Sequence, residues 1–129
     1  MVRILIADND PDALDLAVLD LRLEGHTVIG APDGAAAIAL VPEFVPDVVV
    51  LDYRMPPGPS GLEVAGLLRE THPELRLVIH SNYQDVDLIR QAACLGVPFV
   101  PKGNLVTLRA AIEPGRRAHC ARSDTAGTW

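Results

Sequence analysis

The sequence predicts an α/β domain in which a parallel sheet is covered by helices on both faces. Apolar runs alternate five times with segments of helical spacing, which is the pattern of successive βαβ units. The composition is 49% hydrophobic but only 4% aromatic. The core must therefore consist of Val, Leu, Ile and Ala, which suits strands that are buried on both faces. A chain of 129 residues is long enough for one domain with its own core.

The five strands are predicted where short runs rich in apolar and β-branched residues occur. They are residues 2–7, 27–30, 47–51, 75–80 and 97–100. Apolar residues at helical spacing mark the five segments that follow these strands. The markers are Leu14, Val18, Leu21 and Leu23; residues 35–40; Leu62, Ala65, Leu67 and Leu68; Val86, Leu88, Ile89 and residues 92–93; and Leu105, Leu108, Ala111 and Ile112.

Capping signals define several helix ends. Asp10 and Pro11 provide an N-cap and a first-turn proline for the first helix. Ser60 is followed three residues later by Glu63, which predicts a capping box at the start of the third helix. Pro42 is expected to kink the second helix or to end it early, because proline lacks the N–H that the helix needs.

Charge, cysteines and apolar stretches exclude several classes of protein. A net charge of -6 argues against direct nucleic-acid binding by this chain. Cys94 and Cys120 form no metal-binding motif, and Cys94 is predicted to be a small buried residue of the fourth helix. No stretch reaches the roughly 18 to 20 apolar residues of a membrane span, and the first apolar run is too short for a signal peptide. We therefore expect a cytoplasmic protein without a membrane partner.

Polar residues follow the predicted strands at the point where each one ends. Asp8 and Asp10 follow the first strand and Asp52 the third, while Ser81 and Lys102 follow the fourth and fifth. The carboxyl ends of parallel strands share one edge of a sheet, where ligands bind in open α/β folds. Helix capping explains any one of these residues but explains the whole set poorly.

These residue types together suit phosphoryl chemistry. Asp8, Asp10 and Asp52 can hold Mg²⁺, which takes one or two carboxylates with waters and phosphate oxygens, although we interpret Asp10 primarily as the helix cap. Asp52 could then act as a carboxylate nucleophile on a phosphoryl group. Lys102, the only lysine among 11 basic residues, would pair with the product phosphate. Ser81 could bond to that phosphate or to its own backbone.

Over about residues 2–113 the chain resembles the receiver domain of two-component response regulators. The resemblance is carried by residues 4–11 (ILIADNDP), 33–34 (DG), 46–56 (PDVVVLDYRMP), 61–63 (GLE), 79–81 (IHS) and 99–102 (FVPK). It implies a flavodoxin-like doubly wound (βα)5 three-layer sandwich with a parallel sheet of strand order 2-1-3-4-5. Pro114 and Gly115 are expected to stop the fifth helix, which predicts a receiver domain over residues 1–115 and a helical extension or linker stub over residues 116–129.

The resemblance implies a role for each matching residue of the site. Asp52 corresponds to the phosphoacceptor and Lys102 to the family's lysine. Asp8 and Asn9 correspond to the acidic pair that binds Mg²⁺, with Asp52 and the backbone carbonyl of Arg54 as further metal ligands. The family usually has aspartate where this chain has Asn9. An amide brings no charge, so we expect weaker Mg²⁺ binding.

The resemblance also implies a switch and its partners. Ser81 corresponds to the switch hydroxyl and Phe99 to the aromatic residue whose rotamer follows phosphorylation. The donor would be a sensor histidine kinase or a phosphotransfer protein. The responding face would comprise the fourth helix, fifth strand and fifth helix, which could also form a homodimer. The protein would be a signalling switch and not an enzyme, with chemistry limited to its own phosphorylation and dephosphorylation.

Other functions remain open at this point. Asn9, together with a loop over residues 57–61 that is one residue longer than usual and Asn82 beside the site, suggests a receiver-like interaction module independent of phosphorylation. A phosphatase with an aspartate nucleophile usually has a second acid two residues later, where this chain has Arg54. A flavin-binding protein would share only the fold, and no phosphate-binding loop follows the first strand.

Overall fold

The computed structural model describes residues 2–82, 86–102 and 105–112, which form five strands and five helices in strict alternation. The strands are β1 (Arg3–Ala7), β2 (Thr27–Ala31), β3 (Val48–Leu51), β4 (Arg76–Ser81) and β5 (Phe99–Pro101). The helices are α1 (Pro11–Leu23), α2 (Gly34–Phe44), α3 (Gly61–Thr71), α4 (Val86–Cys94) and α5 (Leu105–Ile112). Each predicted strand and helix is present, with ends that differ by a few residues.

The strands form one parallel sheet in the order β2-β1-β3-β4-β5. β1 lies between β2 and β3, so that Ile4 pairs with Val28 on one side and with Val48 on the other. This order confirms the predicted flavodoxin-like doubly wound (βα)5 sandwich. It also brings the carboxyl ends of β1, β3, β4 and β5 to one edge of the sheet.

Alternate residues of the strands pack against two separate helical layers. In β3, Val48 and Val50 join one buried cluster, whereas Val49 and Leu51 join the other. The first cluster includes residues of α1 and α5, and the second includes residues of α2, α3 and α4. Side chains alternate between the faces of a strand, so a run of four apolar residues is what a strand covered on both sides requires.

The predicted helix caps at the start of α1 and α3 are confirmed. The Asp10 carboxylate accepts the N–H of Asp12 (3.1 Å), and Pro11 occupies the first turn of α1. At α3, the Ser60 hydroxyl accepts the N–H of Glu63 (3.2 Å) while the Glu63 carboxylate accepts the N–H of Ser60 (2.8 Å). This reciprocal capping box fixes the start of the helix that follows Asp52.

The expected early end of α2 at Pro42 does not occur. The helix continues to Phe44. It then ends at Val45, which adopts a left-handed conformation with φ of 53° while its N–H donates to the carbonyl of Val41 (3.0 Å). Pro42 lies in the last turn, where the loss of one N–H is tolerated because few helical bonds follow it.

The prediction that Cys94 is buried is wrong, because its side chain is exposed. The buried residues of α4 are Leu88 and Ala92, which lie four residues apart on one face. Cys94 follows Ala92 by two residues, a rotation of about 200° around the helix, and therefore faces away from the core.

Some predictions concern parts of the chain outside the described residues. These are the extension over residues 116–129, Cys120, and the boundary of the receiver domain at residue 115. Among the helices that the structure describes, none is long and apolar enough to cross a bilayer.

Candidate functional site

Backbone hydrogen bonds continue the parallel ladder past the ends of the strands and position three charged residues. The N–H of Asp8 donates to the last carbonyl of β2 (3.1 Å), and that of Asp52 to the last carbonyl of β1 (2.9 Å). The N–H of Lys102 donates to the carbonyl of Ser81, the last residue of β4 (3.1 Å). The backbone hydrogen bonds of the sheet therefore fix the backbone position from which each of these side chains extends.

The Lys102 ammonium lies against both carboxylates. Its Nζ donates to Asp8 Oδ2 at 2.6 Å and lies 3.3 Å from Asp52 Oδ2. The side chains of Lys102, Asp8 and Asp52 are only 13%, 5% and 11% exposed. The sequence predicted that these residues share an edge, but it did not predict that one ammonium would serve two carboxylates.

Burial and the neighbouring charges shift the ionisation of this cluster. Burial, followed by the negative charge of Asp8, raises the pKa of Asp52, and the Lys102 ammonium only partly opposes this. Burial acts to lower the pKa of Lys102, but its hydrogen bond to Asp8 and the charges of both acids outweigh that effect and raise it. Lys102 is therefore cationic at neutral pH, and two acids share a single positive charge.

An open cavity of about 490 Å³ lies beside the cluster at the same edge of the sheet. It is lined by Asn9, Asp10, Asp52, Arg54, Pro56, Ser81, Asn82 and Lys102. Asn9 and Arg54 are exposed there, whereas Ser81 is buried. The structure thus brings Asn9, Arg54 and Ser81 to the wall that Asp52 and Lys102 also line.

The turn after β1 is held by Asp8 and Asp10. Asp8 Oδ1 accepts the N–H of Asp10 (2.9 Å), while Oδ2 of the same carboxylate accepts from Lys102. Asp10 lines the cavity, but its own carboxylate caps α1. This geometry agrees with the interpretation of Asp10 as the helix cap.

Phe99 lies apart from the cavity. It is half-buried at the start of β5, where it pairs with Ile79 of β4, and packs against the core layer that includes α2, α3 and α4. It stands three residues before Lys102 on the same strand and its continuation. The structure thus places Phe99 outside the cavity lining, on the strand that leads to Lys102.

His80 is a buried titratable residue next to Ser81 in β4. Its side chain is 6% exposed, and its Nε2 has no hydrogen-bond partner among the described residues. Burial, assisted by the positive charge of Lys102, lowers the pKa of His80 to about 4. Strand alternation predicts that His80 and Ser81 face opposite sides of β4, but only the packed structure shows that His80 is buried.

The oxygen atoms at this edge could hold a hard cation. Among the described residues, no three His, Cys, Asp or Glu side chains are grouped as a metal site. Asp8 and Asp52 nevertheless provide two carboxylates, and Asn9 and Arg54 line the cavity at the same edge. Mg²⁺ is typically held by one or two carboxylates with waters and substrate oxygens, so this donor set fits it.

A family model of the response regulator receiver domain matches residues 4–113. The chain belongs to this family. Response regulators act in phosphorelay signalling, and the relatives of this receiver domain are signalling proteins, not classical enzymes.

Two curated relatives show the extent of the similarity. The receiver domain is 38% identical over 93 residues to the probable transcriptional regulatory protein NarL of Mycobacterium tuberculosis, covering 70% of this chain and 43% of that protein. It is 33% identical over 116 residues to the DNA-binding response regulator MtrA of Mycolicibacterium smegmatis, covering 86% of this chain and 50% of that protein. The chain therefore spans about half the length of these relatives.

Solved structures agree with the sequence relatives. The receiver domain matches the crystal structure of the response regulator protein TrrA from Thermotoga maritima in complex with Mg²⁺-BeF. The TM-score is 0.76 and the identity 29%, with coverage of 84% of this chain and 94% of that one.

Proposed function

We propose that Asp52 accepts a phosphoryl group from a sensor histidine kinase or a phosphotransfer protein, and that the modified domain changes a protein-interaction face. The observation that carries this proposal is the buried Lys102 ammonium, which lies between Asp8 and Asp52 beside an open cavity. The proposed receiver domain spans residues 1–115, with residues 116–129 as an extension, which accords with the family match over residues 4–113.

In the proposed transfer, one Asp52 carboxylate oxygen forms a bond to phosphorus while the bond between phosphorus and the donor's leaving atom breaks. Negative charge moves to the leaving atom and stays spread over the phosphoryl oxygens. Lys102 Nζ, 3.3 Å from Asp52 Oδ2, is close enough to pair with those oxygens. Such pairing stabilises the transfer because the site is partly shielded from water.

Mg²⁺ would be held by Asp8, Asn9, Asp52 and the backbone carbonyl of Arg54. When bound, it neutralises charge on the transferring phosphoryl group. Two observations support this assignment. Asp8 and Asp52 share a single ammonium, which leaves excess negative charge at the edge of the sheet. The crystal structure of TrrA, whose fold this chain shares, is that of a complex with Mg²⁺-BeF.

The proposed switch uses Ser81 and Phe99. Ser81 is buried on the cavity wall, where its hydroxyl can bond to a phosphoryl group on Asp52. Phe99 would change rotamer when Ser81 moves, because the two residues belong to paired strands. The responding face comprises α4, β5 and α5. Exposed apolar residues of α4 and α5 on the described surface, Val86, Ile89 and Val106, would support a protein partner or a homodimer.

The direct test is chemical phosphorylation. We expect acetyl phosphate with Mg²⁺ to add the mass of one phosphoryl group to the wild-type protein and none to Asp52→Asn. The matched control is Asp10→Asn, which changes another acid of the same cavity while asparagine still caps the helix, and it should be phosphorylated. Absence of a mass gain with both acetyl phosphate and a cognate kinase would refute the proposal.

A second candidate is an interaction module that does not depend on phosphorylation. Asn9 favours it, because an uncharged and exposed amide stands where the family usually has an acid. Mg²⁺ binding separates the two functions. Binding in the millimolar range or tighter that Asp8→Ala abolishes and Asn9→Asp strengthens supports the phosphorylated switch. No measurable binding supports the module.

A further inference from the structure

Gly61 lies against the backbone of Asp52. A Cβ at this glycine would stand 2.2 Å from the Asp52 carbonyl oxygen and 2.9 Å from its carbonyl carbon. The N–H of Gly61 also donates to the carbonyl of Tyr53 (2.8 Å). The first turn of α3 therefore contacts the peptide between Asp52 and Tyr53 directly.

The requirement for glycine here is a requirement for space. Gly61 is not among the described residues with positive φ, so an L-residue could adopt its backbone conformation. The clash would be with backbone atoms, which cannot turn aside as a flexible side chain can. Both partners of this contact are also fixed in place. Ser60 caps the start of α3, and the N–H of Asp52 is bonded to β1.

We propose that Gly61 is a positioning residue for Asp52. Because glycine has no side chain, the start of α3 can pack directly against the Asp52 peptide. This contact sets the position of the Asp52 carboxylate relative to Lys102. The inference rests on the proposed phosphorylation of Asp52. It assigns to the β3–α3 connection a role in chemistry in addition to its role in folding.

The size of the effect follows from the geometry. A methyl carbon 2.2 Å from a carbonyl oxygen must move away by more than about 1 Å to reach the ordinary contact distance of about 3.5 Å. The start of α3 and the Asp52 peptide would have to separate by that amount. A displacement of about 1 Å at a reacting group lowers a rate by on the order of 100-fold. We expect this loss for Gly61→Ala in phosphorylation by acetyl phosphate at saturating Mg²⁺.

Two variants elsewhere in the chain provide matched controls. Gly66 lies in the same helix with open space around its Cα, so Gly66→Ala should leave the rate unchanged. Leu21 of α1 is fully buried in the cluster on the other face of the sheet. Leu21→Ala therefore leaves a cavity away from both Asp52 and the β3–α3 connection. It should lower the unfolding midpoint while the phosphorylation rate, measured well below that midpoint, stays within a few-fold of wild type.

The experiment measures the initial rate of mass gain and the thermal unfolding midpoint for each full-length variant. A large rate loss in Gly61→Ala that exceeds any loss in the destabilised Leu21→Ala variant supports the positioning role. Equal rates in wild type and Gly61→Ala overturn it and leave the proposed function intact. No phosphorylation of the wild type by either acetyl phosphate or a cognate kinase overturns the proposed function itself.

A milder variant decides the question if Gly61→Ala does not fold. Ser60→Ala removes the hydroxyl that accepts the N–H of Glu63 (3.2 Å) and loosens the same turn without adding atoms. We expect its phosphorylation rate to fall several-fold. A rate equal to that of the wild type would overturn the positioning role in that case.

Discussion

Replacing His80 by leucine should remove the contribution of a buried histidine to the acid sensitivity of this fold. The imidazole is 6% exposed, and its Nε2 is buried without a partner in the described structure. Burial is the main cause of its low pKa of about 4, with the charge of Lys102 acting in the same direction and that of Asp8 against it. Leucine has a similar volume and no polar atom to bury.

The magnitude follows from proton linkage. In the unfolded chain His80 takes up a proton as the pH falls through its ordinary value of 6.5, whereas the folded protein resists protonation until about 4. Between these values the unfolded state binds more protons, so the free energy of unfolding decreases as the pH decreases. Each pKa unit is worth about 1.4 kcal/mol, so the loss attributable to His80 reaches about 3 kcal/mol. Above the ordinary value both states are neutral and His80 contributes no pH dependence.

Urea unfolding followed by far-ultraviolet circular dichroism measures this directly. We expect the stability of His80→Leu relative to wild type to rise by about 3 kcal/mol from neutral pH to about pH 4. Titrations common to both proteins cancel in the difference. An NMR titration of the His80 ring, identified by its absence from the variant, should have its midpoint near 4. A pH-independent difference, or a ring midpoint near 6.5, would refute the reasoning.

Three further predictions concern stability. Lys102→Met leaves Asp8 and Asp52 without their shared ammonium and should lower the unfolding free energy by about 3 kcal/mol at neutral pH. In urea unfolding, the double variant that also carries Asp52→Asn should recover part of this lost stability. Asp52→Asn alone should be more stable than wild type at neutral pH, because a raised pKa means that the folded state disfavours the carboxylate. This gain should shrink as the pH falls through the raised pKa towards the ordinary value of 3.8, and a gain that grew at low pH would contradict the argument. Val45→Gly should raise the unfolding free energy by about 1 kcal/mol, because an exposed β-branched residue holds φ at 53° where glycine is unstrained; a less stable variant in thermal unfolding would contradict it.

Local patterns were sufficient to predict the elements and their caps. The run of β-branched residues in β3 predicted a strand covered on both faces, since polar residues would otherwise alternate with apolar ones. Ser60 with Glu63 predicted the start of α3, because both partners of a capping box lie within one turn. The early helix end expected at Pro42 and the burial expected for Cys94 were both wrong, for a related reason. The effect of a proline depends on how much helix follows it, and the burial of a cysteine depends on which face of α4 meets the sheet.

The site was predictable as a set of residues and not as an electrostatic arrangement. Parallel strands necessarily bring Asp8, Asp52 and Lys102 to one edge, so their proximity follows from strand order and chain position. The distances from Lys102 Nζ to the two carboxylates depend on how the side chains pack when they are buried. For Asp52 the shared ammonium does not outweigh desolvation, so the pKa of this carboxyl is raised.

The sequence by itself determined the order of strands and helices, the covering of both faces of the sheet, and the identity of the polar residues at its carboxyl edge. These follow from periodicity and chain connectivity, which are local properties. Only the tertiary structure decided that His80 is buried, that one ammonium contacts two carboxylates, and that Gly61 leaves room for the Asp52 backbone. Each of these depends on distances between segments far apart in the chain, which side-chain packing determines.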